Sequence, residues 1–231
     1  MKGRTIFWDI ECSDLNADWG SIFTIGYAID DEPIQCISIT DFAGWEKKPW
    51  DDTRVIDAFL KVWLSEDVIM EVTHFGSNFD LPYLQARMAA NGQGVLPLLA
   101  HFDTYYAAKS KLKIKSRSLK NVADHLNIRF KKTALDPKVW KRAARGDKQA
   151  LDYIRQHNVA DIRVLKAVYK RLAPMMRKHP VINNYGSCHN CGKDSLQKRG
   201  YYTTTARGRQ VRYHCTSCGA WSHRPAKKEA A

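Results

Sequence analysis

The sequence predicts an α/β domain with a small metal-stapled ribbon appended after it. Three observations carry this prediction. Short, apolar, strand-forming runs alternate with helical periodicity over the first hundred residues. A long amphipathic segment follows, and after it come two C-x-x-C pairs on the far side of a Pro- and Asn-containing linker.

Taken in order, strands are predicted near 4–11, 21–30, 33–40 and 67–74, with a short fifth near 99–103. The first three lie close enough for antiparallel hairpins. Apolar residues at helical spacing in W-D-D-T-R-V-I-D-A-F-L-K-V-W-L place a helix over 51–65. Asn78 to Asn91 reads as the next helix, with Pro82 in its opening turn. Asp103 ends the fifth strand, where it is placed to cap the helix after it. Ser118 caps S-L-K-N-V-A-D-H-L-N-I, and Pro137 to Arg145 forms another short helix. Asp147 caps a last long helix that runs to about Met176 and carries Asp161 near its middle. These limits divide the chain into a domain over 1–178, a linker over 179–186, a ribbon over 187–224 and a disordered tail over 225–231.

A chain of 231 residues holds one good-sized domain plus an appendage, with ample core. No apolar stretch approaches the roughly 20 residues that span a bilayer. The start, M-K-G-R-T-I-F-W-D, lacks a secretory apolar region with a cleavage site. A soluble, intracellular protein with no membrane partner is expected. Charge is more telling. Residues 1–105 carry 7 Lys/Arg against 17 Asp/Glu, a net of −10, whereas residues 106–231 carry 30 against 7, a net of +23. An acidic half beside a basic half suits cation binding next to a polyanion, and nucleic acid is the partner this implies.

The most informative residues are Asp9 and Glu11, which close the apolar run T-I-F-W-D-I-E. On a strand, positions i and i+2 face the same way, so the two carboxylates project together. They repel and resist burial unless a cation neutralises them, and hard divalent ions such as Mg²⁺ take such oxygen ligands. The strand leads into a Ser/Asp/Asn-rich loop, Ser13 to Asp18, and in open α/β sheets sites lie outside the carboxyl ends of strands. A solvated acidic pair at a strand end is the plain alternative. Further on stand Asp80, in H-F-G-S-N-F-D-L-P-Y-L, and Asp161, in H-N-V-A-D-I-R-V-L.

The six cysteines divide cleanly. Cys12 and Cys36 fall in the strand-rich part as small core residues. Cys188, Cys191, Cys215 and Cys218 form two knuckles with 23 residues between them, the pattern of one tetrahedral, structural Zn²⁺. Gly192 and Gly219 follow the knuckles, where positive φ is favoured. Two disulfides are the rival, disfavoured inside a cell. His189 and His214 adjoin a set already complete with four thiolates. Between the pairs a Tyr-, Thr- and Val-rich stretch with a turn at Arg207-Gly208 reads as a β-hairpin. Lys198, Arg199, Arg207, Arg209 and Arg212, interleaved with Tyr201, Tyr202 and Tyr213, suit gripping phosphates and stacking bases. A purely structural ribbon is the alternative.

D-I-E on the first strand, N-F-D opening a helix and a late-helix Asp in H-N-x-x-D-x-x-x-L resemble the DEDD 3′–5′ exonucleases, a superfamily of ribonuclease H-like fold that includes the proofreading domains of family B DNA polymerases. F-D-T-Y-Y-A-A-K and S-R-S-L-K-N-V-A-D-H-L-N-I are similar to the segment that family places between its second and third motifs. The resemblance covers about residues 4–172 and leaves the ribbon outside. It implies a mixed sheet flanked by helices. By position it also implies that Asp9, Glu11, Asp80 and Asp161 hold two Mg²⁺ or Mn²⁺ ions about 3.5–4 Å apart and release nucleoside monophosphates from a 3′ end.

One departure stands out. The family activates water with Tyr four positions before the last Asp or with His five before it. Here His157 stands four before Asp161. Positions i and i+4 share a helix face, so His157 reaches the same site and is the expected general base, with Tyr153 the weaker substitute. Asn78 is a candidate to orient Asp80 or touch the terminal nucleotide, or else a plain helix cap. Phe79 and Tyr83 are candidates to stack on a base, or else core. Lys113, Lys115 and Arg117, within K-L-K-I-K-S-R-S-L-K, are candidates for phosphate contact.

Three functions follow from these residues. The leading one is a metal-dependent 3′–5′ exonuclease on single-stranded DNA or RNA, the ribbon assisting as a clamp. The second is a structure-specific or RNA-directed endonuclease of the same fold, and the third a non-catalytic nucleic-acid-binding module. Replication, repair, RNA turnover and a virus-encoded nuclease all fit, with any protein partner unspecified.

Overall fold

Strand β1 (Arg4–Cys12) decides the architecture, because both of its faces are committed. In the computed structural model, which describes residues 4–65, 68–130, 136–176, 179, 188, 190–191, 193–206 and 208–226, β1 is the middle strand of five. Ile6, Trp8, Ile10 and Cys12 point into one apolar layer, and Phe7 points into the other. Asp9 and Glu11 share the face of Phe7, as the period of two requires.

The sheet order is β3-β2-β1-β4-β5. β2 (Ile22–Ile29) pairs antiparallel with β1, and β3 (Gln35–Ser38) antiparallel with β2. β4 (Val68–Thr73) runs parallel to β1, and β5 (Ala100–Asp103) parallel to β4. The third strand ends earlier than the sequence suggests. Ser38 caps a 3₁₀ turn over Ile39–Asp41, accepting from Thr40 N while its own N–H donates to Asp41.

Helices cover both faces. α1 (Thr53–Trp63) and α2 (Asp80–Ala90) pack on the Trp8 side, where Trp8 meets Phe59 at 5.3 Å and Trp63 edge-on at 5.5 Å. α3 (Thr104–Lys111), α4 (Leu119–His125) and the later turns of α6 (Lys148–Leu172) pack on the Phe7 side, with Tyr169 edge-on to both Phe7 and Phe102. α5 (Pro137–Ala143) lies against α6. Asp103, Ser118, Asp136 and Asp147 each cap the helix that follows by accepting a backbone N–H. α6 gives way to a 3₁₀ turn over Ala173–Met175, where Pro174 cannot donate to the helical ladder.

Asn78 is not the cap of α2. That place falls to Phe79, with no side-chain bond, and Asn78 instead accepts from the Tyr106 hydroxyl at 2.6 Å. The ribbon has one strand more than the expected hairpin: β6 (Leu196–Thr204), β7 (Gly208–Cys215) and β8 (Trp221–Pro225), in that order. Of the 179–186 linker only His179 is described. It is buried, 3.0 Å from the Tyr169 hydroxyl and against Phe102. The 227–231 part of the expected tail lies outside the described residues, and among those described no helix is long and apolar enough to cross a membrane.

Candidate active site

Three elements bring the acidic residues together. β1 presents Asp9 and Glu11 at its carboxyl end. Asp80, the first residue of α2, is buried and accepts the backbone N–H of Ile10, the residue between the two in sequence, at 3.1 Å. From the opposite side α6 supplies His157, Asn158 and Asp161 on one helical face. His157 Nε2 stands 3.6 Å from Asp161 Oδ2 and 3.8 Å from Glu11 Oε1. One carboxylate oxygen each of Glu11 and Asp161 and one ring nitrogen of His157 all lie within 4.8 Å of one another.

Two further residues hold this group, and sequence reasoning assigned neither a role. Asn158 is fully buried and donates its amide to Asp9 Oδ2 at 2.7 Å, while its own oxygen accepts from Thr24 Oγ1 at 3.1 Å. The signal for it was present, since Asn158 stands three residues before Asp161 on the same face. Trp140 of α5 hydrogen-bonds to Glu11 and meets His157 edge-on at 5.7 Å. No local pattern marks Trp140, because α5 reaches the site only through packing on α6.

The electrostatics are those of an uncompensated acidic cluster. Burial, then Asp80, Glu11 and Asp161, push the Asp9 carboxyl well above its usual range. Burial followed by Asp161 and Asp80 raises Glu11 to about 8, against the pull of Trp140. Burial raises Asp80 to about 7 against the Ile10 N–H, and burial raises Asp161 against His157. Four carboxyls so placed share ionisation only with cations among them. An all-oxygen set with one imidazole beside it fits hard divalent ions such as Mg²⁺ or Mn²⁺.

The loop that delivers Asp80 is pinned from behind. Asp103 Oδ1 accepts from Phe75 N and Tyr105 N, both at 2.9 Å, and Oδ2 accepts from the Ser77 hydroxyl at 2.8 Å. Phe75 is held at φ 67, a left-handed conformation that ordinary residues rarely adopt.

The remaining candidates scatter. Asn78 and Phe79 line a groove of about 350 Å³ with Leu15, Pro82 and Tyr83. Tyr83 is itself a core residue, its ring buried beside Phe79. Lys113 and Lys115 are exposed on the loop between α3 and α4. The Arg117 carbonyl faces His74 Nε2 at 2.9 Å, and its Nε is buried with no hydrogen-bond partner. Arg209 lies over the Tyr201 ring at 4.2 Å, and Arg207 falls outside the described residues.

The four knuckle cysteines converge as expected. None is in a disulfide, and all four sulfurs lie within 4.8 Å of one another. Cys188 and Cys218 are 3.6 Å apart, and Cys191 and Cys215 are 3.7 Å apart. A tetrahedron with Zn–S near 2.3 Å has edges of about 3.8 Å, so the cage fits that ion. Gly219 has the positive φ of 76 that the knuckle requires, while Gly192 and His189 lie outside the described residues. His214 stacks on Trp221 rather than completing the cage.

A family model described as RNase_H superfamily matches residues 6–173. No curated protein matches the chain. Among solved structures, the family B DNA polymerase from the hyperthermophilic archaeon Pyrobaculum calidifontis matches 87% of this chain, with a TM-score of 0.55 and 16% identity. This chain spans 31% of that polymerase. The likeness is one of fold.

Proposed function

The chain belongs to the RNase H superfamily, whose fold is that of a nuclease, and we propose that within it this protein is a metal-dependent 3′–5′ exonuclease acting on single-stranded DNA or RNA. The observation that carries the reading is the position of Asp80. Its bond to Ile10 N holds a third carboxyl against the strand that carries Asp9 and Glu11, and Asp161 and His157 approach Glu11 from α6.

Asp9, Glu11, Asp80 and Asp161 would hold the divalent ions. Bound there, two such ions supply an acidified water and stabilise charge on the phosphate and the leaving 3′ oxygen. The chain's own residues do the rest. Asn158 fixes the rotamer of Asp9. His157, whose Nε2 stands beside Asp161 and Glu11, takes the proton of the attacking water at that nitrogen. Asn78, Phe79 and the groove beside them receive the terminal nucleotide. Arg117 and the exposed Lys113 and Lys115 suit phosphates further along the strand. Cys188, Cys191, Cys215 and Cys218 would bind one structural Zn²⁺, and the basic ribbon would assist in holding nucleic acid.

The test uses 5′-labelled single-stranded DNA and RNA of matched sequence with Mg²⁺, Mn²⁺ or EDTA. A metal-dependent ladder shortening from the 3′ end, abolished by Asp9→Asn, is the expected result. Discrete internal cuts would replace this reading with an endonuclease, and intact but retained substrate with a binding module.

A further inference from the structure

The ribbon presents two different faces. Alternation along β7 and its register put Arg209, Val211 and Tyr213 on one face, together with Lys198 and Tyr201 of β6. There the cations already sit on rings. Lys198 Nζ is 4.3 Å and Arg209 Cζ 4.2 Å from the Tyr201 centroid, and Arg224 lies 5.2 Å from Tyr213. The other face carries Tyr202, Arg212 and His214, with His223 and Trp221 across from Arg212 and His214.

On this second face Tyr202, Arg212, Trp221 and His223 line a groove of about 380 Å³ whose described lining has no carboxylate. Trp221 is 52% exposed, its ring supported by His214 at 4.7 Å. Tyr202 is braced edge-on by His223 at 6.0 Å. Two supported aromatic rings flank an exposed Arg in the half of the chain with net charge +23, and an exposed Trp on so polar a sheet is best covered by a flat, anionic ligand. Nucleobases offer π-faces and their backbone the charge.

We propose that this face is a second nucleic-acid site, where bases of single-stranded DNA or RNA stack on Trp221 and Tyr202 while Arg212 pairs with a phosphate. The inference rests on the reading that the chain acts on nucleic acid. It separates the basic and aromatic residues of the ribbon into a face that binds and a face whose cations are engaged internally.

The experiment measures affinity of the zinc-loaded, full-length Asp9→Asn chain, without Mg²⁺, for a 20-nucleotide thymidine strand and for an abasic strand of equal length. Adding Trp221→Ala should weaken binding to the thymidine strand about ten-fold or more and leave abasic binding unchanged, whereas Trp221→Phe should restore most of it. Arg212→Ala should weaken both and lower the salt slope by about 1. Equal zinc content in each variant shows that the ribbon is intact. Indifference to Trp221, or an equal loss on both strands, would overturn stacking at this face. Wild-type protein that binds with this Trp221 dependence but never shortens a strand with Mg²⁺ would overturn the exonuclease reading and leave this one standing.

Discussion

Asn158 donates one side-chain amide to two acceptors of Asp9, the carboxylate oxygen at 2.7 Å and the main-chain carbonyl at 3.3 Å. The bond fixes the carboxyl against a backbone that cannot move away from it. Gly26, opposite Asp9 in the sheet, leaves the space that Asn158 fills, since a Cβ there would come within 2.7 Å of Asn158 Oδ1. Asn158→Ala is therefore expected to lower cleavage about 10–100-fold, as loss of an orienting partner does, with little effect on strand binding. Gly26→Ala should produce a similar loss by displacing Asn158, although it touches no carboxylate. Single-turnover rates beside affinities measure both. Unchanged cleavage in both would show that Asp9 needs no such support.

His157 gives a separable prediction. Its Nε2 lies 3.6 Å from Asp161 Oδ2 and 3.8 Å from Glu11 Oε1, which puts the imidazole among the carboxylates where an attacking water would be activated. His157→Ala should reduce cleavage about 10²–10⁴-fold while the divalent-ion dependence persists. His157→Tyr places the other residue type of the resembling family at its own spacing, four before Asp161, and should recover part of the rate. A rate for His157→Ala within a few-fold of wild type would remove His157 from the chemistry.

Much of this site was legible because its geometry is local. Period two puts Asp9 with Glu11, and i+4 puts His157 with Asp161. Other contacts join residues distant in sequence and are decided by packing: Tyr106 takes Asn78 across 28 positions, and Trp8 binds Glu71 across 63. Capping is a local rule that makes Asn78 a cap candidate, and such a rule cannot foresee a competing phenol. Strand β8 is hidden in the sequence for a similar reason. Trp221 to Pro225 is too short for its alternation to stand out, and it forms a strand because β7 offers an edge.

Asp103 holds the Phe75–Ser77 backbone in place through three bonds, one to a residue in left-handed conformation. Asp103→Ala hands those exposed donors to water and removes the cap of α3, and is expected to cost about 1 kcal/mol of stability. Because the same loop delivers Asp80, cleavage should fall further than unfolding alone explains. Denaturant titration together with the rate of the folded fraction tests this, and parallel losses in the two would confine Asp103 to the fold.

Glu71 sets a pH dependence of stability. Its carboxyl is buried and accepts from Trp8 Nε1 at 2.8 Å. Burial, reinforced by Asp80 and Asp103, raises it from 4.5 to about 8 against that hydrogen bond. Between those values the folded chain keeps a proton that the unfolded chain has lost, so stability falls as pH rises, by at most about 1.4 kcal/mol per unit. Above the upper value the loss is complete. Glu71→Gln keeps an acceptor for Trp8 and cannot ionise. Its melting temperature should match wild type near pH 4.5 and exceed it by several degrees at pH 8. A constant difference between the two across that range would show that Glu71 does not titrate as its burial requires.

The ribbon's stability depends on its cysteines more than on apolar packing. Its buried cluster is Cys188, Cys215 and Ala220, backed by Cys191, Leu196 and Cys218, so thiols make up most of what would be a core. Without a metal, the sulfurs at 3.6–3.7 Å are left facing each other and N–H donors such as Asn190 N, 3.4 Å from Cys188 Sγ. Metal binding supplies about 10–16 kcal/mol in comparable small cages, far more than so few apolar residues contribute. The sheet domain has two apolar layers of its own. Cys215→Ser, or a strong chelator, should therefore abolish amide protection at Val211 and Tyr213 while leaving Ile6, Trp8 and Ile25 protected, with bound zinc falling from one per chain to none. If protection in β7 survives without the metal, the strands β6 to β8 hold themselves together and the cage is an ornament on a fold that packing already secures.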